Sequence, residues 1–273
     1  MRVLIATGGG AHSNLAVQMG AQLAADAGLA PTLMMVIKHE AEYSHAEIVL
    51  ARAVALMGLK PGAVKTRIRI GNPAKKILLE AEAGKFDLVI LGSRPTHTLL
   101  TRLLGSTAEW VIAHAPCPVL IAKGNPTPLR RILLCVTAAE IPSQHALFTA
   151  RLVSQMDEAP DITVLHVMSQ ISAGPEAPGE WQLYANASEL IQGSEPEGEL
   201  LRRDMTALAL LETNVRPRVR HGPVVEEILK EMQEGDYDLL VIGAHQARGW
   251  QRFLLDDLAH QIVVQADRPV LVV

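Results

Sequence analysis

At 273 residues, 49% of them hydrophobic and 20% charged, the chain has enough apolar material for one large or two medium domains of ordinary globular kind. Its 25 basic and 29 acidic residues leave a net charge of −4 with no run of five basic residues, so neither nucleic acid nor an anionic membrane surface is an expected partner. No apolar stretch reaches the roughly 18 to 20 residues of a bilayer span, and MRVLIATGGG reads as a strand and a turn, which predicts a cytoplasmic protein.

In chain order, the first 124 residues alternate short apolar runs with amphipathic stretches. Strands are expected over 2–7, 32–37, 64–70, 86–91 and 119–123, with helices over 12–27, 43–57, 73–83 and 106–114. LVIL and VLIA are continuous apolar runs, the mark of parallel strands covered on both faces. Cys117 precedes one such run and Cys135 lies inside ILLCV, so both thiols are expected to be buried and structural.

The chain then repeats itself. Asp87 matches Asp238, Gly92 matches Gly243, Gly71 matches Gly222 and Pro118 matches Pro269, each 151 residues apart. Nearer the start of each copy the spacing reads as 130, with Thr7 against Thr137 and Ser13 against Ser143, so the second copy holds about 21 extra residues. These readings give an α/β fold of two tandem doubly wound domains, each a five-stranded parallel sheet with helices on both faces. The domains are expected at 1–124 and 131–273, joined by a linker over 125–130. The extra residues are expected as an exposed loop or lid over 169–195, carrying one short helix near 181–191 and docked by Trp181 and Tyr184. The two terminal strands, PVLIA and PVLVV, need covering, and each offers the other a matching edge, giving a pseudo-dimer within the chain. No stretch points to a further dimer of chains.

Ligands of doubly wound sheets sit beyond the carboxyl ends of the strands, here where the segments after Thr7 and Leu91 meet. Gly105-Ser106-Thr107-Ala108-Glu109 opens a helix there, with Ser106 the expected cap and Glu109 completing a capping box. A helix start behind a small residue also offers free amides to an anion, Gly105 allows close approach, and Gly92 and Arg94 can add amides and a guanidinium.

These residues bear a family resemblance. Gly92-Ser93-Arg94-Pro95, nine residues, then Gly105-Ser106-Thr107 resembles the nucleotide motif of the universal stress proteins. The likeness extends to VLIATGGGAHSNLA, IGNPAKKILLEAEAGKFDLVILGSR and APCPVLIAK, and more loosely to residues 130–273. It implies a stress-response or regulatory protein that binds ATP or AMP, with Mg2+ accompanying the nucleotide. Thr7, Gly8 and Ile37 would then border base and ribose, while Gly92, Arg94, Gly105, Ser106 and Thr107 hold the phosphates.

Two departures bear on this. Pro95 replaces a motif glycine and has no N–H to donate, and Gly8 replaces the acidic residue usual after the first strand. In the second copy Asp256 and Asp257 replace Gly105 and Ser106, while His245 and Gln246 replace Arg94 and Pro95. Aspartate caps a helix as well as serine does but repels phosphate, so one nucleotide at most is expected per chain, in the first domain. The alternative is a family member that binds no nucleotide and acts as an interaction scaffold. His39, Glu40, Glu42 and His45 read as a solvated segment without the further cluster a metal site needs. No nucleophile, base and orienting group can be assembled at a readable spacing, which leaves at most slow ATP hydrolysis.

Overall fold

A computed structural model describes residues 1–60, 62–93, 104–125, 127–136, 143–168, 186–193, 196–243 and 257–273, the side chain of Asp257 excepted. The first half runs β1 (Val3–Thr7), α1 (Ala11–Asp26), β2 (Thr32–Ile37), a 3-10 turn (Glu40–Glu42), α2 (Tyr43–Met57), β3 (Lys65–Ile70), α3 (Pro73–Ala83), β4 (Leu88–Gly92), α4 (Ser106–His114) and β5 (Val119–Ala122). The second runs β6 (Arg131–Cys135), α5 (Gln144–Val153), β7 (Asp161–Met168), α6 (Ala187–Gln192), α7 (Pro196–Leu208), β8 (Val215–His221), α8 (Val224–Glu234), β9 (Leu239–Ile242), α9 (Asp257–Gln265) and β10 (Val270–Val272). Each expected strand and helix of the first domain is present to within two residues at either end. Both halves are doubly wound, with α1, α2, α5 and α7 packed on one face of the sheet and α3, α4, α8 and α9 on the other.

The strands form one sheet in the order β3-β2-β1-β4-β5-β10-β9-β6-β7-β8. Pairing is parallel within each half and antiparallel only at the join, where Leu271 lies opposite Leu120 and Val270 and Val272 lie opposite Ile121 and Val119. Leu120 and Leu271 are equivalent in the repeat, so a pseudo-twofold axis passes between them, as the exposed apolar ends of the two half-sheets demand. Further contacts seal the join. Lys123 Nζ donates to the Val263 and Val264 carbonyls at the end of α9 and to that of Ala266 just beyond it, and Arg151 pairs with Asp87 at 2.9 Å. Glu109 and His260, also twofold equivalents, meet at 3.6 Å. The outer strands carry basic rows, Lys65, Arg67 and Arg69 on β3 and Arg216, Arg218 and Arg220 on β8, that discourage pairing of the open edges. Equivalent glutamates, Glu80 and Glu231, neutralise them at 2.7 and 2.6 Å.

The matched residues do matched work. Asp87 accepts from the Arg2 amide at 2.6 Å and Asp238 from the Arg131 amide at 2.9 Å, each fixing the entry to its domain's first strand. Burial would raise the Asp87 carboxyl, but the Arg2 amide and the Arg151 guanidinium hold it below the usual value. Gly71 and Gly222 leave β3 and β8 with φ of 131° and 143°, which side-chain-bearing residues avoid. The apolar surroundings push the Cys117 thiol up to about 12, and burial raises that of Cys135 as well, so neither is a ready nucleophile.

Two expectations need correction. Strand register equates Val3 with Ile132, since Val3 lies opposite Leu88 and Ile132 opposite Leu239, so the spacing at the start of the copies is 129 and not 130. Two chance identities, at Thr137 and Ser143, misled the alignment by one residue. The second concerns the extra segment, which ends in α6, capped reciprocally by Asn186 and Glu189. Leu190 of this helix is fully buried against the second domain, so this end belongs to the packed structure; 169–185, with Trp181 and Tyr184, lies outside the described residues. A Cβ on Gly198 of α7 would stand 1.9 Å from the Leu190 carbonyl oxygen. Gly198→Ala is therefore expected to lower stability by about 1 to 3 kcal/mol in urea unfolding. Gly105→Ala, where a Cβ meets nothing within 4 Å, should change it by no more than about 0.5 kcal/mol.

Candidate functional site

The first domain's sheet order reverses between β1 and β4, the point at which a doubly wound sheet leaves a crevice beyond the carboxyl ends of its strands. Register brings the expected residues to its rim. Thr7 ends β1, Gly92 ends β4 two residues beyond Ile90, the partner of Ile5, and Ile37 ends β2 two residues beyond Met35, the partner of Thr7. The side chain of Thr7 is buried and turned inward. Its hydroxyl donates to Ser13 Oγ at 3.2 Å and accepts from the Gly9 amide at 3.2 Å, while Ser13 donates to the Gly10 carbonyl at 2.8 Å. These bonds fold TGGG into a tight turn with Gly9 at φ 75°, where any Cβ would also strike Val49 at 2.8 Å. Gly8 lies on the outside of this turn, exposed, with open space around it.

Gly92 is held by contact. A Cβ there would stand 1.9 Å from the His12 carbonyl oxygen, so β4 and the first turn of α1 touch backbone to backbone. Sequence reading found Gly92 but missed His12 and Ser13, which frame the crevice from α1; the small residues at 8–10 and 92 were the signal that two backbones approach here.

Across the crevice, α4 spans the expected residues, but its cap stands one residue earlier than expected. Gly105 is its cap, with φ −58° and ψ 144°, and its carbonyl accepts from the amides of Ala108 at 2.8 Å and Glu109 at 3.2 Å. Ser106 is the exposed first helical residue, and no side chain caps the helix. The expected capping box is absent because a glycine holds the cap position and Glu109 reaches His260 instead. The helix start thus presents its first amides beside a residue without a side chain, the arrangement that receives anions. Arg94 and Pro95, along with Asp256, His245 and Gln246 of the other copy, lie outside the described residues.

The second domain departs from this plan in its helices as well as its motif. Ser143 caps α5, and the burial pattern along α5 places His145 where α1 has Ala16. Facing it on α7 is Asp204, where α2 has Ala53. Asp204 is fully buried; it accepts from Ser143 Oγ at 3.1 Å and from Arg203 Nε at 2.8 Å, and lies 3.4 Å from His145 Nε2. Burial alone would raise its carboxyl, yet bonding to His145 and Arg203 holds it below the usual value. An apolar helix contact in one copy has become a closed polar network in the other.

Elsewhere, a 380 Å³ cleft between α8 and the sheet has charges satisfied internally: Arg218 binds Glu231 at 3.3 Å, and Tyr237 donates to it at 3.1 Å. Among the described residues no three histidine, cysteine or carboxylate side chains converge as metal ligands, and none of the described helices is long and apolar enough to cross a membrane.

Comparison with known proteins agrees with this architecture. The profile of the universal stress protein family matches residues 1–123 and 128–273. A universal stress protein of Mycolicibacterium smegmatis is 24% identical over 221 residues, 77% of this chain and 68% of that one. One of Thermus aquaticus is 39% identical over 79 residues, 29% of this chain and 56% of its own length, so the match spans little more than half of that relative. A crystal structure of a universal stress protein from Archaeoglobus fulgidus superposes with a TM-score of 0.70 at 17% identity, covering 99% of this chain and 95% of that one. That likeness concerns the fold.

Proposed function

The chain belongs to the universal stress protein family, and from that premise we propose that it is a stress-response regulatory protein whose first domain binds one adenine nucleotide, ATP or AMP, and whose second domain binds none. The observation that carries this reading is the start of α4. Its amides are uncapped, Gly105 leaves open space before them, and the turn after β1 lies across the crevice with Gly8 equally bare. In this reading the phosphates rest on Gly92, Arg94, Gly105, Ser106 and Thr107, and base and ribose lie by Thr7, Gly8 and Ile37. The hydroxyl of Thr7 is already committed to Ser13, so that residue shapes the turn and offers the ligand only its contour. Mg2+ would arrive with a triphosphate as part of the ligand.

Occupancy would act by changing the surface presented to a protein partner. Gly8 favours a second reading, a scaffold that binds no nucleotide, because the turn offers no carboxylate to a ribose. Gentle lysis, rapid purification and mass spectrometry of the released small molecules separate the two. One adenine nucleotide per chain is expected, and a chain recovered without nucleotide that also fails to bind added ATP or AMP supports the scaffold.

A further inference from the structure

The copies differ at three positions that the nucleotide reading leaves unused, and each difference introduces an imidazole into the second domain, where His145 is buried and His166 and His221 are half-buried. Register equates Met35 with His166 on β7 and Ile70 with His221 on β8, while helix burial equates Ala16 with His145 on α5. His166 and His221 share a face of the sheet: Met168 is the partner of His221, and His166 lies two residues before it on the same strand. That face is covered by α7, which packs on β7 and β8, and by α6, which packs on β8.

We propose that α6 and α7 form a proton-released cover over the second domain, which docks while His166 is neutral and loosens when it is protonated. The apolar hold on this pair is small: Leu190 of α6 and Leu201 and Leu208 of α7 are its fully buried apolar residues, with Ile191, Met205 and Ala207 partly buried beside them. The pair moves as one piece, because Arg202 of α7 donates to the Ile191 and Gly193 carbonyls of α6 and Gly198 packs on Leu190.

The groups that face the imidazoles decide the sign. On α7, Glu197 lies near His166 and favours its charged form; Asp204 and Arg203 are paired with each other and with α5, where His145 stands. The arginines of β8 point to the other face, towards Glu227, Glu231 and Glu234. Burial disfavours a charge on His166 and outweighs Glu197, the neighbouring His221 opposes it too, and His166 Nδ1 is buried without a hydrogen-bond partner. A histidine held below the free value of 6.5 contributes stability that is complete above that pH and is lost as pH falls. In an opened cover the His166 ring reaches water and takes up a proton freely, so acid favours opening. Domain one, with Met35, Ile70 and Ala16 in these places, lacks the device. On this reading, which stands apart from nucleotide binding, the proton is the second domain's ligand.

Hydrogen exchange followed by mass spectrometry on the full chain tests it, with peptides covering 186–208 compared at about pH 7.5 and about pH 5.5 after correction for intrinsic rates. Exchange there should rise at the lower pH relative to α1 and α2, by up to roughly tenfold, the limit that one proton supplies one unit below the free imidazole value. The double variant His166→Met with His221→Ile, which installs the first domain's residues, should abolish the rise. If that variant does not fold, His166→Gln alone should at least halve it. Equal protection at both pH values in the parent, or an unchanged rise in the variants, overturns the proposal.

Discussion

Asp204→Ala is expected to destabilise the second domain by about 3 to 5 kcal/mol, more than truncation of an ordinary surface carboxylate, because it strands buried partners without their counter-ion. Asp204 has no exposed side-chain surface, and His145 is 6% and Arg203 16% exposed. The other copy supplies the control. Arg52-Ala53 on α2 is the counterpart of Arg203-Asp204, and Arg52 lies in solvent beside Ala53, so an arginine here can leave once the acid is gone. Adding His145→Ala to Asp204→Ala restores the first domain's pair of alanines. The double variant should be less destabilised than the sum of the single variants by at least about 1 kcal/mol in urea unfolding, the coupling expected of residues in one network. Additive losses would mean that the four groups are neighbours and not a unit. The pH dependence has a fixed sign: the Asp204 carboxyl is held below its free value of 3.8, so its contribution is complete above that pH and is lost as pH falls further. Between pH 5 and 7 the acid itself should add no slope, which separates it from His166 beneath α7.

Much of the fold could be read in advance from particular residues. Gly71, Asp87, Gly92 and Pro118 recur at a constant spacing because each fixes backbone: a positive φ, a carboxylate on an incoming strand, a close approach, a strand entry. The apolar runs of β1, β4, β5 and β9 needed no alternation because both faces of the sheet are covered. The pairing of β5 with β10 was legible as an edge problem with one nearby solution.

The illegible parts have equally physical causes. Ser106-Thr107-Ala108-Glu109 has the letters of a capping box, but sequence cannot say whether serine stands at the cap or one residue inside, and the glycine before it took the cap. The network of Ser143, His145 and Asp204 was invisible because its members lie on helices 61 residues apart, and an isolated Asp in ELLRRDMTAL reads as a solvated position. The offset of 129 hid behind identical residues one position away. His166 in the run ITVLHVM reads as a tolerated polar residue, and only the register with β8 places it beside His221.

Gly105→Asp with Ser106→Asp is expected to reduce nucleotide affinity at least about 100-fold while leaving stability within about 1 kcal/mol. The change copies the second domain's Asp256-Asp257. Gly105 already has a negative φ that aspartate adopts without strain, a Cβ there meets nothing, and aspartate is a favoured cap at the positive end of a helix. Folding should therefore tolerate it. The phosphates should not: each lost hydrogen bond to a charged group costs about 1.5 to 3 kcal/mol, and two carboxylates add repulsion in the same place.

Isothermal titration of the intact chain with ATP and with AMP, repeated on this double variant, tests the central claim most directly. The account predicts a stoichiometry of one nucleotide per chain in the parent and no measurable binding by the variant under the same conditions. Two nucleotides per chain, or equal affinity in parent and variant, would contradict it.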